Sequence, residues 1–231
     1  MTSRKSLRRA LDCDQFIVAP GIYDMISAVV ANKVGFDFVY ASGYWQTASA
    51  YGLPDAGIAT YTQMLARVST LVRTSRAAVI ADADTGYGGL LNVHHTVQGF
   101  EAAGVCAIQL EDQEFPKKCG HTPYKRVIDK IEMVEKIEVA CAARRDPVET
   151  LIIARTDAMQ PEGFASAIER AQAYGEAGAD IIFVEALHTE DQMRRARKAG
   201  FDGFLGKPLD PDRFPLQIRR LLAGEQVWEW Q

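Results

Sequence analysis

Short apolar runs alternate with amphipathic segments of helical character along most of the chain. The runs are continuous rather than alternately apolar and polar, so they predict strands buried on both faces, as in a parallel sheet. Several helical segments end in a glycine directly before the next run, which is a common way for a helix to stop. Seven runs fit this description: residues 16–20, 36–42, 77–84, 105–112, 150–158, 180–186 and 201–208.

The regular exchange of strand and helix predicts right-handed βαβ crossovers and a single α/β domain over residues 1–231. Seven βα units are one fewer than the eight that close a TIM barrel, so a doubly wound open sheet is the alternative. The segments predicted as helices are residues 62–75, 96–104, 128–146, 163–178 and 189–200.

Polar residues follow at least five of these runs, at the end where each predicted strand stops. An open sheet gathers its ligand groups at one switch point, whereas a barrel gathers them from every strand around one mouth. This distribution favours a TIM-barrel-like fold, with the manner of closure left open. The residues are Ser42 and Gly43, Asp82 and Asp84, Glu111 and Asp112, Arg155 and Asp157, and Glu185.

Composition narrows the class of partner. A net charge of -4 with 24% charged residues offers no basic excess for neutralising nucleic-acid phosphates. No apolar run is long enough to span a bilayer, and the first residues lack a signal-peptide core. The four cysteines form no CxxC pair, which is typical of reduced thiols. We expect a cytoplasmic protein that binds neither nucleic acid nor membrane.

Asp82 and Asp84 end the third run two residues apart, so both side chains point to the same side of the strand. Two adjacent carboxylates repel each other unless a cation or a shared proton relieves them. Glu111 and Asp112 at the next strand end add further oxygen donors, a set that suits Mg²⁺ better than zinc. The alternative is that one aspartate only caps the following helix.

The segment PKKCGH, residues 116–121, places Cys119 beside Lys118 and close to His121. Cationic neighbours lower the pKa of a thiol and make proton transfer feasible near neutral pH. The flanking proline and glycine predict a surface loop that can close over the mouth of the fold. Cys106, inside an apolar run, is expected to be buried and inert. An ordinary solvated loop is the alternative for residues 116–121.

Seven stretches occur in the order known from one superfamily: ASGY, YGLPD, ADADTGYGG, QLEDQ, KKCGH, IIARTDA and FVEA. On these the chain, over residues 1–195, resembles the isocitrate lyase and phosphoenolpyruvate mutase superfamily, and within it the 2-methylisocitrate lyases most closely. The resemblance implies an α/β barrel, Mg²⁺ and cleavage of a 2-hydroxy acid to succinate and a 2-oxo acid, pyruvate or glyoxylate. Tyr44 replaces the tryptophan of isocitrate lyases and disfavours isocitrate.

The resemblance also implies roles for the metal-binding and substrate-binding residues. Asp84 would hold Mg²⁺ directly, while Asp82 and Glu111 would act through its waters. Ser42 and Gly43 would donate hydrogen bonds to a substrate carboxylate. The remaining residues of the implied substrate-binding set are Tyr40, Asp55, which would also support the metal site, and Arg155, which would neutralise the carboxylate.

The catalytic roles come from the same resemblance. Cys119 would protonate the carbanion-like product, with Lys117 and His121 supporting the charge. Arg155 would stabilise negative charge, and Glu185 would contact the substrate or a metal-bound water.

Residues 196–231 instead resemble the last strand and helix of a response-regulator receiver domain, with Lys207-Pro208 matching its Lys-Pro feature. We therefore expect an engineered chimera, with a divergent family member as the alternative. Such a replacement would remove contacts to a second substrate carboxylate and leave lyase turnover weak, or leave a scaffold without activity. An open sheet edge would be closed by another segment or by a homo-oligomer.

Overall fold

The computed structural model describes residues 6–13, 15–120, 122–187 and 189–198. In this part of the chain, parallel strands alternate with helices. The strands are β1 (Gly21–Ile22), β2 (Phe38–Ala41), β3 (Ala78–Asp82), β4 (Ala107–Glu111), β5 (Leu151–Thr156) and β6 (Ile181–Val184). The helices are α1 (Leu7–Asp12), α2 (Met25–Val34), α3 (Gly43–Tyr51), α4 (Tyr61–Thr74), α5 (Leu90–Ala103), α6 (Lys130–Ala143), α7 (Phe164–Glu176) and α8 (Glu190–Lys198).

Local chemistry sets several helix boundaries. Helix α2 begins with a capping box, in which Asp24 accepts from the Ser27 amide at 2.7 Å and Ser27 Oγ accepts from the Asp24 amide at 3.1 Å. It ends at Gly35, whose φ of 88° is the left-handed conformation that favours glycine. Within the described ranges, no helix has both the length and the apolar character needed to cross a bilayer.

The five predicted helical segments all contain helices, but α1, α2 and α3 were not predicted. Helix α2 shows why. It buries only Ala28 and Ala31, while Ile26, Val30 and Val34 are more than half exposed. Most of its large apolar side chains therefore lie outside the core, and their spacing does not mark a core-facing stripe.

The six strands are hydrogen-bonded in the order β1-β2-β3-β4-β5-β6, and every pair is parallel. Sequential order without a reversal differs from a doubly wound sheet, which has a switch point, and is that of a barrel. The predicted α/β, TIM-barrel-like class is confirmed. The seventh predicted run, residues 201–208, lies outside the described residues, so the closing strands are not assigned.

Strand β1 lies slightly later than the predicted run at residues 16–20. Pro20 ends that run and has no backbone N–H to donate to a ladder. Its carbonyl accepts from the Tyr40 amide at 2.9 Å. The paired residues are therefore Gly21 and Ile22, directly after the proline.

Side chains of the strands alternate between two environments. In β4, Ile108 and Leu110 belong to the large cluster packed against the helices, whereas Ala107 lies in a second cluster on the other face. Gln109 and Glu111 continue that second face and line a cavity. The second face is thus apolar where the strands begin and polar where they end, which places the chemistry at their carboxyl ends.

Candidate active site

A cavity of about 610 Å³ opens at the carboxyl ends of the strands. Its walls come from strands β2 to β6, from the segment after β2 and from the loop after β4. Active sites of barrel enzymes lie at this end of the fold. The lining residues are Tyr40, Ser42, Tyr44, Trp45, Asp55, Asp82, Gln109, Glu111, Lys117, Cys119, Gly120, Arg155, Phe183 and Glu185.

Asp82 and Asp84 lie side by side, as the sequence predicts, but of the two only Asp82 lines the cavity. Asp82 accepts hydrogen bonds from the Gly43 amide at 3.2 Å and from the Asp84 amide at 3.1 Å. Asp84 has a φ of 49°, a left-handed conformation that aspartate tolerates better than most residues. A Cβ added at Gly43 would lie 2.8 Å from Asp82 Oδ2 and 3.5 Å from Asp84 Oδ1. A side chain at position 43 would therefore displace the Asp82 carboxylate.

Lys117 joins two carboxylates that are distant in sequence. Its Nζ lies 2.5 Å from Asp55 Oδ1 and 2.5 Å from Asp84 Oδ1, and its side chain is 4% exposed. Burial raises the pKa of Asp84 to about 6, an effect that Lys117 opposes and Asp82 reinforces. Burial disfavours the Lys117 ammonium, but Asp84 and Glu111 outweigh it and raise the pKa of Lys117. Positive charge is strongly favoured at this position.

The carboxylates beside the cavity are oxygen donors of the kind that hard divalent cations prefer. Asp82 and Glu111 supply carboxylate oxygens to the cavity, Asp84 lies directly beside Asp82, and the Gly43 backbone leaves room beside the two aspartates. In the part of the chain that the structure describes, no group of three or more His, Cys, Asp or Glu side chains forms a cage that could hold a metal ion. Mg²⁺ needs no such cage, because it commonly keeps several waters and binds one or two carboxylates.

Arg155 is the centre of a second charged cluster. It donates two hydrogen bonds to Asp157, at 2.8 and 3.0 Å, and lies 3.5 Å from Glu111 and 3.4 Å from Glu185. Its guanidinium also lies over the Phe183 ring. Burial raises the pKa of Glu111 well above its usual range, although Arg155 opposes this. The structure thus brings together three residues that the sequence predicts for the site.

The loop after β4 carries Cys119 to the cavity. Cys119 is half-buried and lines the cavity, whereas Cys106 is buried, as predicted. Gln113 fixes the loop, because its Nε2 donates to Glu111 Oε1 at 3.0 Å and to the Lys118 carbonyl at 2.8 Å. Its Oε1 accepts from the Lys118 amide at 3.0 Å. Sequence reasoning missed this role of Gln113.

A second missed contact holds the end of the same loop. Lys125 Nζ donates to the Gly120 carbonyl at 2.9 Å and to Asp157 Oδ1 at 2.6 Å. A Cβ added at Gly120 would lie 2.6 Å from Arg155 Nη2 and 3.3 Å from the Glu185 carboxyl carbon. The loop therefore packs directly on the Arg155 cluster, and a side chain at position 120 would have to displace the Arg155 guanidinium.

Asp112 does not join the cavity, contrary to the prediction that grouped it with Glu111. Its carboxylate accepts from Thr156 Oγ1 at 2.7 Å, the Asp157 amide at 2.8 Å and the Tyr174 hydroxyl at 2.8 Å. Neighbouring residues at a strand end point to opposite sides, so only one of the pair can face the interior. Asp112 instead supports the wall from behind.

The structure places some of the remaining predicted residues on the cavity wall and does not describe others. Tyr40 and Ser42 line the cavity, and Ser42 is the N-cap of α3 without a side-chain capping bond. His121 lies outside the described residues. Lys117 was expected on an exposed, mobile loop, but the Asp55 and Asp84 contacts bury it.

Three further lining residues were missed: Trp45, Gln109 and Phe183. The period of two along a strand could have found two of them, because Gln109 precedes Glu111 by two positions and Phe183 precedes Glu185 by two.

The chain belongs to the phosphoenolpyruvate mutase and isocitrate lyase superfamily. Residues 7–209 match the family described as phosphoenolpyruvate phosphomutase. Two relatives show the degree of sequence identity. 2,3-Dimethylmalate lyase of Eubacterium barkeri is 44% identical over 216 residues, which are 94% of this chain and 74% of that protein. 2-Methylisocitrate lyase of Aeropyrum pernix is 47% identical over 188 residues, which are 81% of this chain and 60% of that protein. This chain thus spans about 60% of that second relative.

A solved structure of phosphonopyruvate hydrolase with oxalate and Mg²⁺ has a TM-score of 0.78 and 33% identity, and covers 98% of this chain and 78% of its own. The family match runs past residue 195, and no comparison supports a receiver-domain C-terminus or a chimera. Weak turnover was inferred from such a replaced C-terminus and stays a prediction.

Proposed function

We propose that this protein is a Mg²⁺-dependent carbon–carbon lyase that cleaves 2-methylisocitrate to succinate and pyruvate. The observation that carries the proposal is one cavity lined by a cysteine, an arginine and a set of carboxylates, namely Cys119, Arg155, Asp82 and Glu111. The relative named 2-methylisocitrate lyase at 47% identity supports the choice of reaction.

The metal would be held by Asp84 directly, with Asp82 and Glu111 acting through its waters. When bound, Mg²⁺ supplies electrostatic stabilisation of the negative charge that develops on substrate oxygens. Lys117, which forms ion pairs with Asp84 and Asp55, places a second positive charge beside these carboxylates.

The substrate carboxylate next to the hydroxyl would pair with the Arg155 guanidinium. Asp157, Glu111 and Glu185 fix the direction of that guanidinium. A charge held in place before the reaction needs no reorganisation during it, which is the basis of electrostatic preorganisation. Ser42 and Tyr40 supply hydroxyl groups to the same cavity.

The bond cleavage is a retro-aldol step. A base removes the proton of the 2-hydroxyl group, the C–O bond becomes the carbonyl of pyruvate, and the C2–C3 bond breaks. Its electron pair passes to C3 and the attached carboxyl group as an aci-carboxylate. Cys119 then gives its proton to that carbon and yields succinate. The half-buried position of Cys119 on the cavity wall supports this role.

A second substrate, 2,3-dimethylmalate, has its own supporting observation. The Eubacterium barkeri relative named for that substrate aligns over 94% of this chain. Both substrates carry a hydroxyl and a methyl group on C2 and both release pyruvate. They differ in the other product, which is succinate from 2-methylisocitrate and propionate from 2,3-dimethylmalate.

Product analysis in D₂O tests the reaction and the acid together. Wild-type protein with Mg²⁺ should form pyruvate and an equal amount of succinate carrying one deuterium at the former C3. Cys119→Ala should lose most of this turnover, typically about 10²–10⁴-fold for a proton-transfer group, while Cys106→Ala should retain it. Equal turnover in Cys119→Ala and wild type would refute the acid role. Faster turnover of 2,3-dimethylmalate to pyruvate and propionate would select the second substrate. No pyruvate from either substrate would favour a scaffold without activity.

A further inference from the structure

Gln109 brings a buried amide group to the wall of the active-site cavity. The residue is 2% exposed and lines the cavity, and its Nε2 has no hydrogen-bond partner among the residues that the structure describes. A buried donor without a partner destabilises a protein, and such donors are rare in native structures. An unpaired amide at the wall of a cavity therefore indicates that a ligand supplies the acceptor.

The backbone holds this side chain at a fixed place in the sheet. Gln109 lies in the centre of β4 and is paired with Asp82 of β3 on one side and with Ile153 of β5 on the other. Its carbonyl accepts from the Ala83 amide at 2.9 Å. Glu111, two positions later on the same strand, lines the same cavity. Gln109 thus lies level with Asp82 and one step further into the fold than Glu111.

The carboxylates on either side of Gln109 already have other partners. The two oxygens of Asp82 accept from backbone amides at 3.1 and 3.2 Å. The two oxygens of Glu111 lie 3.0 Å from Gln113 Nε2 and 3.5 Å from Arg155 Nη1. None of these contacts involves the Gln109 amide. Its Nε2 is therefore a donor that the described part of the protein does not use.

We propose that Gln109 is a substrate-binding residue, whose Nε2 donates a hydrogen bond to the carboxylate at the pyruvate end of the substrate. Asp82 of the proposed metal site lies beside Gln109 on β3, and Arg155 lies on β5, the strand on the other side. A carboxylate bound between the metal and the guanidinium would lie within reach of this amide. The inference rests on the proposed function, which defines the end of the substrate that faces this wall.

Calorimetric titration with oxalate in the presence of Mg²⁺ tests the proposal without any turnover. Oxalate has two adjacent carboxylates and so resembles the carboxylate and the neighbouring oxygen at the pyruvate end. Gln109→Met removes the donor and keeps an unbranched side chain of similar length. It should weaken oxalate binding about 10- to 100-fold, as expected for the loss of a hydrogen bond to a charged group.

Gln46→Met is the matched control. Gln46 is fully buried, its side-chain oxygen and nitrogen both lack a partner within the described ranges, and it is not among the residues that line the cavity. This variant should bind oxalate as wild type does. Both variants should keep or raise the midpoint of urea unfolding, because each removes a buried polar group that has no partner. A glutamine with only a structural role at position 109 would instead lose stability and keep its oxalate affinity.

Wild-type oxalate affinity in a folded Gln109→Met variant would overturn the proposal, and so would an equal loss of affinity in Gln46→Met. The absence of oxalate binding to the wild-type protein with Mg²⁺ would overturn it as well. Gln109→Leu provides the same comparison if Gln109→Met does not fold. Failure of the proposed lyase reaction is a separate result, because it is measured as missing pyruvate and does not enter the oxalate titration.

Discussion

Arg155→Met removes the cation from the most crowded group of buried carboxylates. In the wild-type structure Arg155 contacts Asp157, Glu111 and Glu185 at 2.8 to 3.5 Å. After the substitution Asp157 keeps its ion pair with Lys125 at 2.6 Å. Glu111 and Glu185 are 2% and 7% exposed, respectively, and would keep no comparable ion pair among the described contacts.

The expected loss of unfolding free energy follows from these lost ion pairs. Loss of one partner of a buried ion pair typically destabilises a protein by about 3–5 kcal/mol, because the remaining charge stays buried. Arg126→Met is the matched control, because Arg126 forms an exposed pair with Glu114. Such surface pairs contribute only about 0–1 kcal/mol. The difference between the two variants therefore measures the effect of burial.

The effect should also depend on pH, with a definite sign. Burial already raises the pKa of Glu111, and Arg155 works against this shift. Loss of Arg155 raises that pKa further. An acid with a raised pKa in the folded state destabilises the protein increasingly as the pH rises above its unfolded-state pKa, and the loss is complete above the folded-state pKa. The penalty should thus decrease as the pH falls, by about 1.4 kcal/mol for each unit of additional shift.

Urea unfolding of wild type, Arg155→Met and Arg126→Met at pH 8 and pH 5.5 measures the loss of unfolding free energy in each variant and its dependence on pH. We expect a large loss of unfolding free energy for Arg155→Met at pH 8 and a smaller loss at pH 5.5. A loss below about 1 kcal/mol, or one that does not change with pH, would refute the view that Arg155 compensates buried carboxylates.

Three further predictions concern the walls of the site. Asp84→Ala should abolish Mg²⁺ binding in a calorimetric titration, and unchanged binding would show that Asp84 is not the ligand. Iodoacetamide should modify Cys119 well before Cys106, because Cys119 is half-buried at the cavity and Cys106 is buried. Peptide mass spectrometry measures the order of modification, and the reverse order would contradict the placement of the loop. Gly43→Ala should weaken Mg²⁺ binding by roughly tenfold, because the added methyl group would lie 2.8 Å from the carboxylate of Asp82. Wild-type affinity in this variant would show that Asp82 can move aside without loss of binding.

The predictable part of the site follows from the geometry of a strand. Each buried run ends at the same edge of a parallel sheet, so the sequence predicts that Asp82, Glu111, Arg155 and Glu185 meet, and the structure places all four around one cavity. The same two-residue alternation excludes Asp112, which the sequence reading had grouped with its neighbour.

The contacts that sequence reasoning missed are those that only the tertiary fold creates. Lys117 is buried because it reaches Asp55, which lies 62 positions earlier in the chain. Asp112 is held by Tyr174 from helix α7, which follows the next strand, β5. Helix α2 was not predicted because most of its large apolar residues face outward. None of these arrangements has a local signal in the sequence.

The most direct test of the central claim is pyruvate formation from 2-methylisocitrate in a single turnover, with the protein in excess over substrate so that slow catalysis is still detected. We predict stoichiometric pyruvate with Mg²⁺, little pyruvate after removal of divalent metal with a chelator, and none with Asp84→Ala. Pyruvate formation that is independent of both the metal and Asp84, or no pyruvate from folded wild-type protein, would contradict the account.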